Sequence, residues 1–570
     1  MDLSRLFEEF PAPSYRGTQE QALESIKSAF ADGNRVVLVR APTGSGKSLL
    51  ARAVAGCARR SGVAPAKPDG AYYTTPQVSQ LDDVAGDPLL SDLSVIRGKH
   101  NYNCILSGET TTPVTQAPCA RERSFDCPQK HRCPYFADRG TAAEAPIAAM
   151  TLAYFMHTAD TDAFGQRDIV VVDEAHGLAE WAETYATVEL SPTTVPVWDA
   201  VETPNVEELS DAVEFAETIL TVAERRREEL QGRVELTRSE VTERDQIDDL
   251  RRDAGWFLDD AKDAGSPTTW VADQADDGSV TVKPMRPARY LDHTVWNRGR
   301  HFLLLSATIL DKTAFCRSVG LDPASVALVD VPHTFPVENR PLYDVTCGKM
   351  TYDRREETLP ELARTAVRLM QRHDEKGLIH AHSYDIASRL TDRLADFGVG
   401  ERIRSHGREN RDAALSDWKR SDGSDVFVSV KMEEALDLDG DLCRWQLLCK
   451  APYPNTRDSR VARRLEEGQW NWYYRNTLQT VIQACGRIVR SPDDHGATYL
   501  ADSSLLDLFE RARGDLPSWF ADSVDRMTSP ELPAFDPAAA VDGSSTRRRS
   551  HSKGSSSDID DHPLSDVWGE

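Results

Sequence analysis

The stretch Val39-Arg40-Ala41-Pro42-Thr43-Gly44-Ser45-Gly46-Lys47-Ser48 limits what this chain can fold into more than any other part of it. Ahead of it, residues 35–39 form a short, apolar, β-branched run suited to a buried parallel strand, and residues 48–55 behind it read as a helix. A strand, a glycine-rich turn and a helix in that order make a phosphate cradle. Thr43, Gly44, Ser45 and Gly46 form the curl whose N–H groups point at phosphate oxygens, Lys47 reaches the β/γ oxygens, and the Ser48 hydroxyl can ligate Mg²⁺. The full pattern has glycine where this chain has Ala41. Taken alone, the stretch could also be an ordinary glycine-rich turn.

With 570 residues the chain is too long for one core and calls for three or four domains. It contains no run of eighteen apolar residues, and its first residues lack the basic and apolar regions of a signal peptide, so a soluble, cytoplasmic protein with no membrane partner is expected. A formal charge of -25 would by itself argue against nucleic acid as a partner. The acid is spread along the whole chain, however, with many Arg and few Lys. That composition fits a very salty, halophilic cytoplasm, where repulsion is screened within a few Å, and it speaks of the host more than of the ligand. Ten cysteines in such a compartment are not expected to pair as disulfides.

Around the cradle, Tyr15-Arg16-Gly17-Thr18-Gln19 opens a predicted helix with Thr18 at its N-cap. The Gln19 amide offers a donor beside an acceptor, the pattern that the N6/N7 edge of adenine requires, and Arg16 is grouped with it as nucleotide-binding. Residues 71–75 read as a strand ending in hydroxyls that could hold a nucleic-acid backbone; an ordinary strand-to-helix turn is the alternative. Cys104, Cys119, Cys127 and Cys133 follow, separated by fourteen, seven and five residues. Structural zinc sites draw on close C-x₂₋₄-C pairs, which are missing, whereas thiolates at wide spacing, two of them before proline, suit a [4Fe–4S] cluster better. Zinc or unliganded core cysteines remain the other readings. Next, the apolar strand 168–172 delivers Asp173 and Glu174 at its C-terminal end, where open α/β sheets bind ligands. Asp173 would hold Mg²⁺ and Glu174 would orient or deprotonate water.

About 130 residues separate His176 from Ser306, more than a βα unit needs, so an inserted domain of long charged helices is expected there. Beyond Pro336 a second α/β unit begins, with strands near 376–384, 426–430 and 444–454. A predicted helix over 479–490 places Gln483, Arg487 and Arg490 on one face. The end of the chain, rich in Ser, Arg and Asp, reads as disordered.

In order and type these pieces, from about Tyr15 to Asp502, resemble the superfamily 2 iron–sulfur DNA helicases of the XPD/DinG group. The cysteines between the phosphate loop and Asp173-Glu174-Ala175-His176, the long insert before Ser306-Ala307-Thr308, and the segment Gln483–Arg490 carry the likeness. It implies an α/β fold of two RecA-like P-loop motor domains, with an iron–sulfur cluster domain and a helical arch domain inserted in the first. The corresponding boundaries are 1–97, 141–185 and 286–335 for motor domain 1, 98–140 for the cluster domain, 186–285 for the arch, 336–532 for motor domain 2 and 533–570 for the tail. It also implies ATP-driven 5′→3′ movement of a monomer on single-stranded or forked DNA, in repair or replication, and a haloarchaeal source. Lys47, Asp173, Glu174, Gln483, Arg487 and Arg490 would then be the catalytic set. One departure is Glu434-Ala435-Leu436-Asp437, where the family has Glu-Gly-x-Asp. Two other functions fit the same residues: a DNA-stimulated ATPase that remodels protein–DNA complexes without unwinding, and a redox-gated DNA-binding regulator.

Overall fold

The computed structural model describes residues 1–58, 70–122, 125–159, 161, 163–263, 270–408, 410–421, 423–430, 438 and 440–541. The Glu434–Asp437 element lies outside them. Five strands come first: β1 (Val36–Arg40), β2 (Ala71–Thr75), β3 (Ser94–Val95), β4 (Ile147–Thr151) and β5 (Arg167–Val172). Then β6 (Val188–Leu190), β7 (Trp270–Gln274) and β8 (Val280–Pro284) build a small separate sheet, before β9 (Gly299–Ser306) and β10 (Val326–Asp330) return to the first. The first sheet has the order β10-β1-β9-β5-β2-β4-β3 and every pairing in it is parallel.

Alternation along these strands divides two cores. Val37, Val39, Tyr73, Ile169, Val171, Leu303 and Leu305 face one side; Val36, Leu38, Tyr72, Val170, Val172, Phe302 and Leu304 face the other. Both sides are covered, which is why the strands read as continuous apolar runs. Register aligns Arg40 with Ser306, and Val172 with Leu304, so the carboxyl ends of β1, β9 and β5 meet at one edge.

The second sheet collects β11 (Leu342–Gly348), β12 (Gly377–His380), β13 (Ile403–Ser405), β14 (Val426–Ser429), β15 (Trp445–Leu448) and β16 (Ala497–Asp502) in the order β11-β16-β15-β12-β14-β13, again all parallel. Two parallel sheets, each flanked by helices, are the RecA-like pair expected from the sequence.

Three expectations need correction. The insert is not purely helical: helices Leu209–Gln231 and Arg238–Ala261 pack through Phe215, Ile219, Ile247, Leu250 and Phe257 onto the antiparallel sheet β6-β8-β7. The helix predicted to run to Arg490 spans Trp470–Cys485 with Gly486 as its C-cap, so Arg487 and Arg490 reach the cleft from the turn beyond. The segment assigned to disorder from 533 is packed as far as Val541. Arg368 donates to the carbonyls of Leu532 and Pro533, and Ala540 is fully buried where helix Pro537–Val541 meets helix Arg355–Arg372.

Candidate functional site

Between the two sheets lies a cavity of about 460 Å³. Thr43, Gly44, Gly46, Lys47, Ser48, Asp173, Glu174 and Thr308 line it from the first sheet, and Gln483, Arg487 and Arg490 from the second side. Gly44 and Gly46 have φ of 78° and 81°, a left-handed conformation that side chains resist. A Cβ at Gly44 would also run into the Arg490 carbonyl, and one at Gly46 into the Gln19 amide, so the loop's glycines allow close approach as well as curvature.

Helix Lys47–Gly56 starts at the loop and turns Lys47 inward, where its Nζ lies 3.4 Å from Glu174 Oε1. Glu174 has φ of 47°, one of two non-glycine residues with positive φ among the described residues. Such strain in a cleft marks a position the surroundings over-determine. Burial alone would raise the Glu174 carboxyl, but Lys47, a hydrogen bond from His176 and the charges of His176 and Arg487 hold it well below the usual carboxylate range. Asp173 is driven upward by burial and by the Glu174 charge beside it, against the pull of Lys47. A divalent cation between them would reverse that direction, since the ion's own charge would dominate the site.

Asp173 is held from two sides. The Glu174 backbone N–H donates to its Oδ1 at 2.9 Å, and the Tyr73 hydroxyl donates to its Oδ2 at 3.3 Å. Across the cleft runs a polar chain: His176 Nδ1 lies 2.9 Å from Ser306 Oγ, Ser306 Oγ accepts from Thr308 N at 3.1 Å, and Gln483 Nε2 touches His176 Nε2 and donates to Thr308 Oγ1 at 3.3 Å. His176, Ser306, Thr308 and Tyr73 were not assigned to the site by sequence reasoning, although the runs Asp173–His176 and Ser306–Thr308 were both singled out. Burial presses the Arg490 guanidinium down to about 10, while Glu174 and Asp494 favour its charge.

Gln19 is 5% exposed and spends its amide inside the chain. Its Nε2 donates to the Ser45 carbonyl at 3.0 Å and its Oε1 accepts from Arg16 N at 2.9 Å. Arg16, Gln19 and Ser45 thus brace the phosphate loop from behind, outside the cavity lining.

The four clustered cysteines occupy a separate region beside the first sheet. Cys104 and Cys133 are buried, Cys119 and Cys127 half-buried, and none forms a disulfide. Burial raises the Cys119 thiol; Lys99 opposes this, and Cys127, Cys104 and Cys133 add to it, so the other three sulfurs lie within electrostatic reach of Cys119. Among the described residues no group of three or more His, Cys, Asp or Glu is gathered tightly enough to hold a single metal ion. The donor set is soft and thiolate-rich, and a multi-iron cluster takes thiolates from further apart than one ion does. Glu109 and Arg121 in this region bind the insert: Arg238 lies 2.8 Å from Glu109, and the Leu236 N–H donates to the Arg121 carbonyl.

Comparison with known proteins agrees with this architecture. Residues 366–523 match the Helicase C-terminal domain family, and residues 122–195 match the DEAD_2 family. The ATP-dependent DNA helicase DinG of Photobacterium profundum is 23% identical over 266 residues, 43% of this chain and 38% of that protein. The general transcription and DNA repair factor IIH helicase subunit XPD/RAD3 of Saccharomyces cerevisiae is 30% identical over 109 residues, covering 17% and 14%. The chain therefore spans well under half the length of these curated relatives. Among solved structures, an XPD helicase superposes with a TM-score of 0.60 at 17% identity, over 91% of this chain and all of that one; S. tokodaii Xpd4 gives 0.55 at 15%, over 90% and all. In two helicase-domain matches, in stretches of sequence shared with the DinG and XPD relatives and in its fold, the chain is thus similar to the XPD/DinG-type superfamily 2 helicases.

Proposed function

We propose that this chain is an ATP-dependent DNA helicase that couples hydrolysis to 5′→3′ movement on single-stranded DNA and to unwinding of forked duplex, in repair or replication. The observation that carries the reading is the shared cavity, which brings Lys47, Ser48, Asp173 and Glu174 from one sheet against Gln483, Arg487 and Arg490 from the other. Lys47 neutralises the β/γ-phosphates, and Glu174, kept ionised by Lys47 and His176, accepts the proton of the attacking water. Ser48 and Asp173 would hold Mg²⁺, which supplies charge neutralisation at the phosphates when bound. Because Arg487 and Arg490 belong to the second wall, the transferring phosphate is fully surrounded only when the cleft is shut, and turnover thereby alternates the spacing of two DNA-gripping domains. The four cysteines would hold a [4Fe–4S] cluster beside the helical arch, at the point where duplex parts. The protein works as a monomer in the cytoplasm.

The test is ATPase activity with and without single-stranded DNA at high salt, paired with strand displacement on a forked substrate. DNA-stimulated turnover with displacement, both lost in Lys47→Ala, is expected. Stimulated turnover without displacement would leave a remodelling ATPase, and turnover untouched in Lys47→Ala would remove the site itself.

A further inference from the structure

Strand β2 ends in hydroxyls, and the hydroxyl it sends toward the nucleotide cleft is that of Tyr73. The ring is fully buried among Val37, Val39, Val171 and Leu303. Its oxygen is placed between two residues proposed above as the Mg²⁺ ligands. The Tyr73 hydroxyl donates to Asp173 Oδ2 at 3.3 Å, and the Ser48 hydroxyl lies near enough to bear on the ionisation of the phenol. Tyr73 gives its proton to Asp173, whose other oxygen is already pinned by the Glu174 N–H at 2.9 Å.

We infer that Tyr73 is a positioning residue of the cation site, a phenol that aligns Ser48 and Asp173 for a divalent ion without touching the ion itself. This rests on the reading of the cavity as an ATP·Mg²⁺ site. The competing explanation is that a buried phenol had to find partners and found these two. The two explanations separate in what is lost when the oxygen is removed. Outer-shell partners of metal ligands are worth 10–100-fold in metal affinity or activity. A hydroxyl that only satisfies its own burial is worth stability and nothing at the metal.

Strand β2 also carries the control. Tyr72 points to the opposite core and donates to the Gly165 carbonyl at 2.7 Å, so Tyr72→Phe removes a comparable hydrogen bond without approaching the cleft.

The experiment uses the full chain and a fluorescent, non-hydrolysable ATP analogue, titrated with Mg²⁺ and, by electron paramagnetic resonance, with Mn²⁺. For Tyr73→Phe the cation concentration at half-saturation should rise about 10- to 100-fold. Analogue binding without cation should not change, and Tyr72→Phe should titrate as the parent does. A folded Tyr73→Phe protein with half-saturation within threefold of the parent overturns the inference. So does an equal shift in Tyr72→Phe. Tyr73→Met reads the same contrast if Tyr73→Phe does not fold, and collapse of both while Tyr72→Phe folds assigns Tyr73 to the core and also overturns it. Lys47→Ala keeps the two readings apart: if it binds and turns over nucleotide normally, the ATP site is wrong; if it fails while Tyr73→Phe titrates normally, only the role of Tyr73 is.

Discussion

Helix Leu178–Tyr185, just ahead of the insert, is tied to the unit of the second parallel sheet by a buried ion pair whose strength can be measured. Arg464, on helix Ser459–Glu466, forms a salt bridge with Glu183, donates to the Met285 carbonyl at 3.2 Å and lies 4.4 Å above the Trp472 ring. Both partners are about nine-tenths buried. Removing one member of such a pair costs about 3–5 kcal/mol, because the other is left charged and dry. Here Arg460 stays 3.4 Å from the second Glu183 oxygen and softens the loss, so Arg464→Leu should cost about 2–4 kcal/mol. At 1.36 kcal/mol per decade that is roughly a 30- to 900-fold rise in local opening. Hydrogen exchange of the amides of helix Ser459–Glu466 and of β7 reads this opening directly. The double variant Arg464→Leu/Glu183→Leu should recover much of the protection, since two apolar side chains replace two charges. Single variants whose exchange stays within threefold of the parent, or a double variant whose losses simply add, would refute the argument. Lys283, 2.8 Å from Asp458 and bonded to Asp273, gives the same junction a more exposed second tie that should matter less.

Three further outcomes are expected. Glu174→Gln keeps the shape of the side chain but cannot take a proton, so nucleotide should bind with turnover stalled; loss of nucleotide binding in a filter or fluorescence assay would show that Glu174 shapes the pocket instead. Arg487→Ala should lower turnover by about 10³- to 10⁵-fold with little change in nucleotide affinity, as an arginine acting on the transition state does; if Arg490→Ala carries that loss and Arg487→Ala does not, the role passes to Arg490. Cys119→Ser or Cys127→Ser should remove the brown absorbance of thiolate-held iron and depress unwinding more than ATPase, and anaerobically purified parent protein holding zinc without iron would contradict the cluster.

What could be read from the sequence was what neighbouring residues determine. Val36–Ser48 holds strand, turn and helix within thirteen residues, and Asp173-Glu174 follows its strand directly, so both appear where the local pattern places them. The sheet of the insert was hidden because β6 is only three residues long and pairs with β8 some ninety residues later, a partnership no local window contains. Asp277-Gly278, with Gly278 at φ of 85°, was a turn signal for β7–β8 that the surrounding charge obscured. Gly486 announced the end of its helix, but the spacing of Gln483, Arg487 and Arg490 argued for continuing it; the three converge on one cavity by a turn rather than by a helical face. Tyr73 could not be found at all, since its acceptor lies 100 residues away.

The order β10-β1-β9 has a consequence for how the chain is made. Strand β1 has neighbours only in β9 and β10, so the phosphate-loop strand leaves the ribosome with no partner and waits for residues 299–330. At about 5–20 residues per second, that interval of about 260 residues lasts roughly 13–50 s. Strands β2, β3, β4 and β5 are complete within residues 71–172 and can pair among themselves meanwhile. The nascent chain thus carries an unpaired apolar segment, Val36–Val39, for nearly half of its synthesis, and any transcript cut short before codon 299 yields a product in which the strand ahead of the glycine-rich loop has neither of its partners.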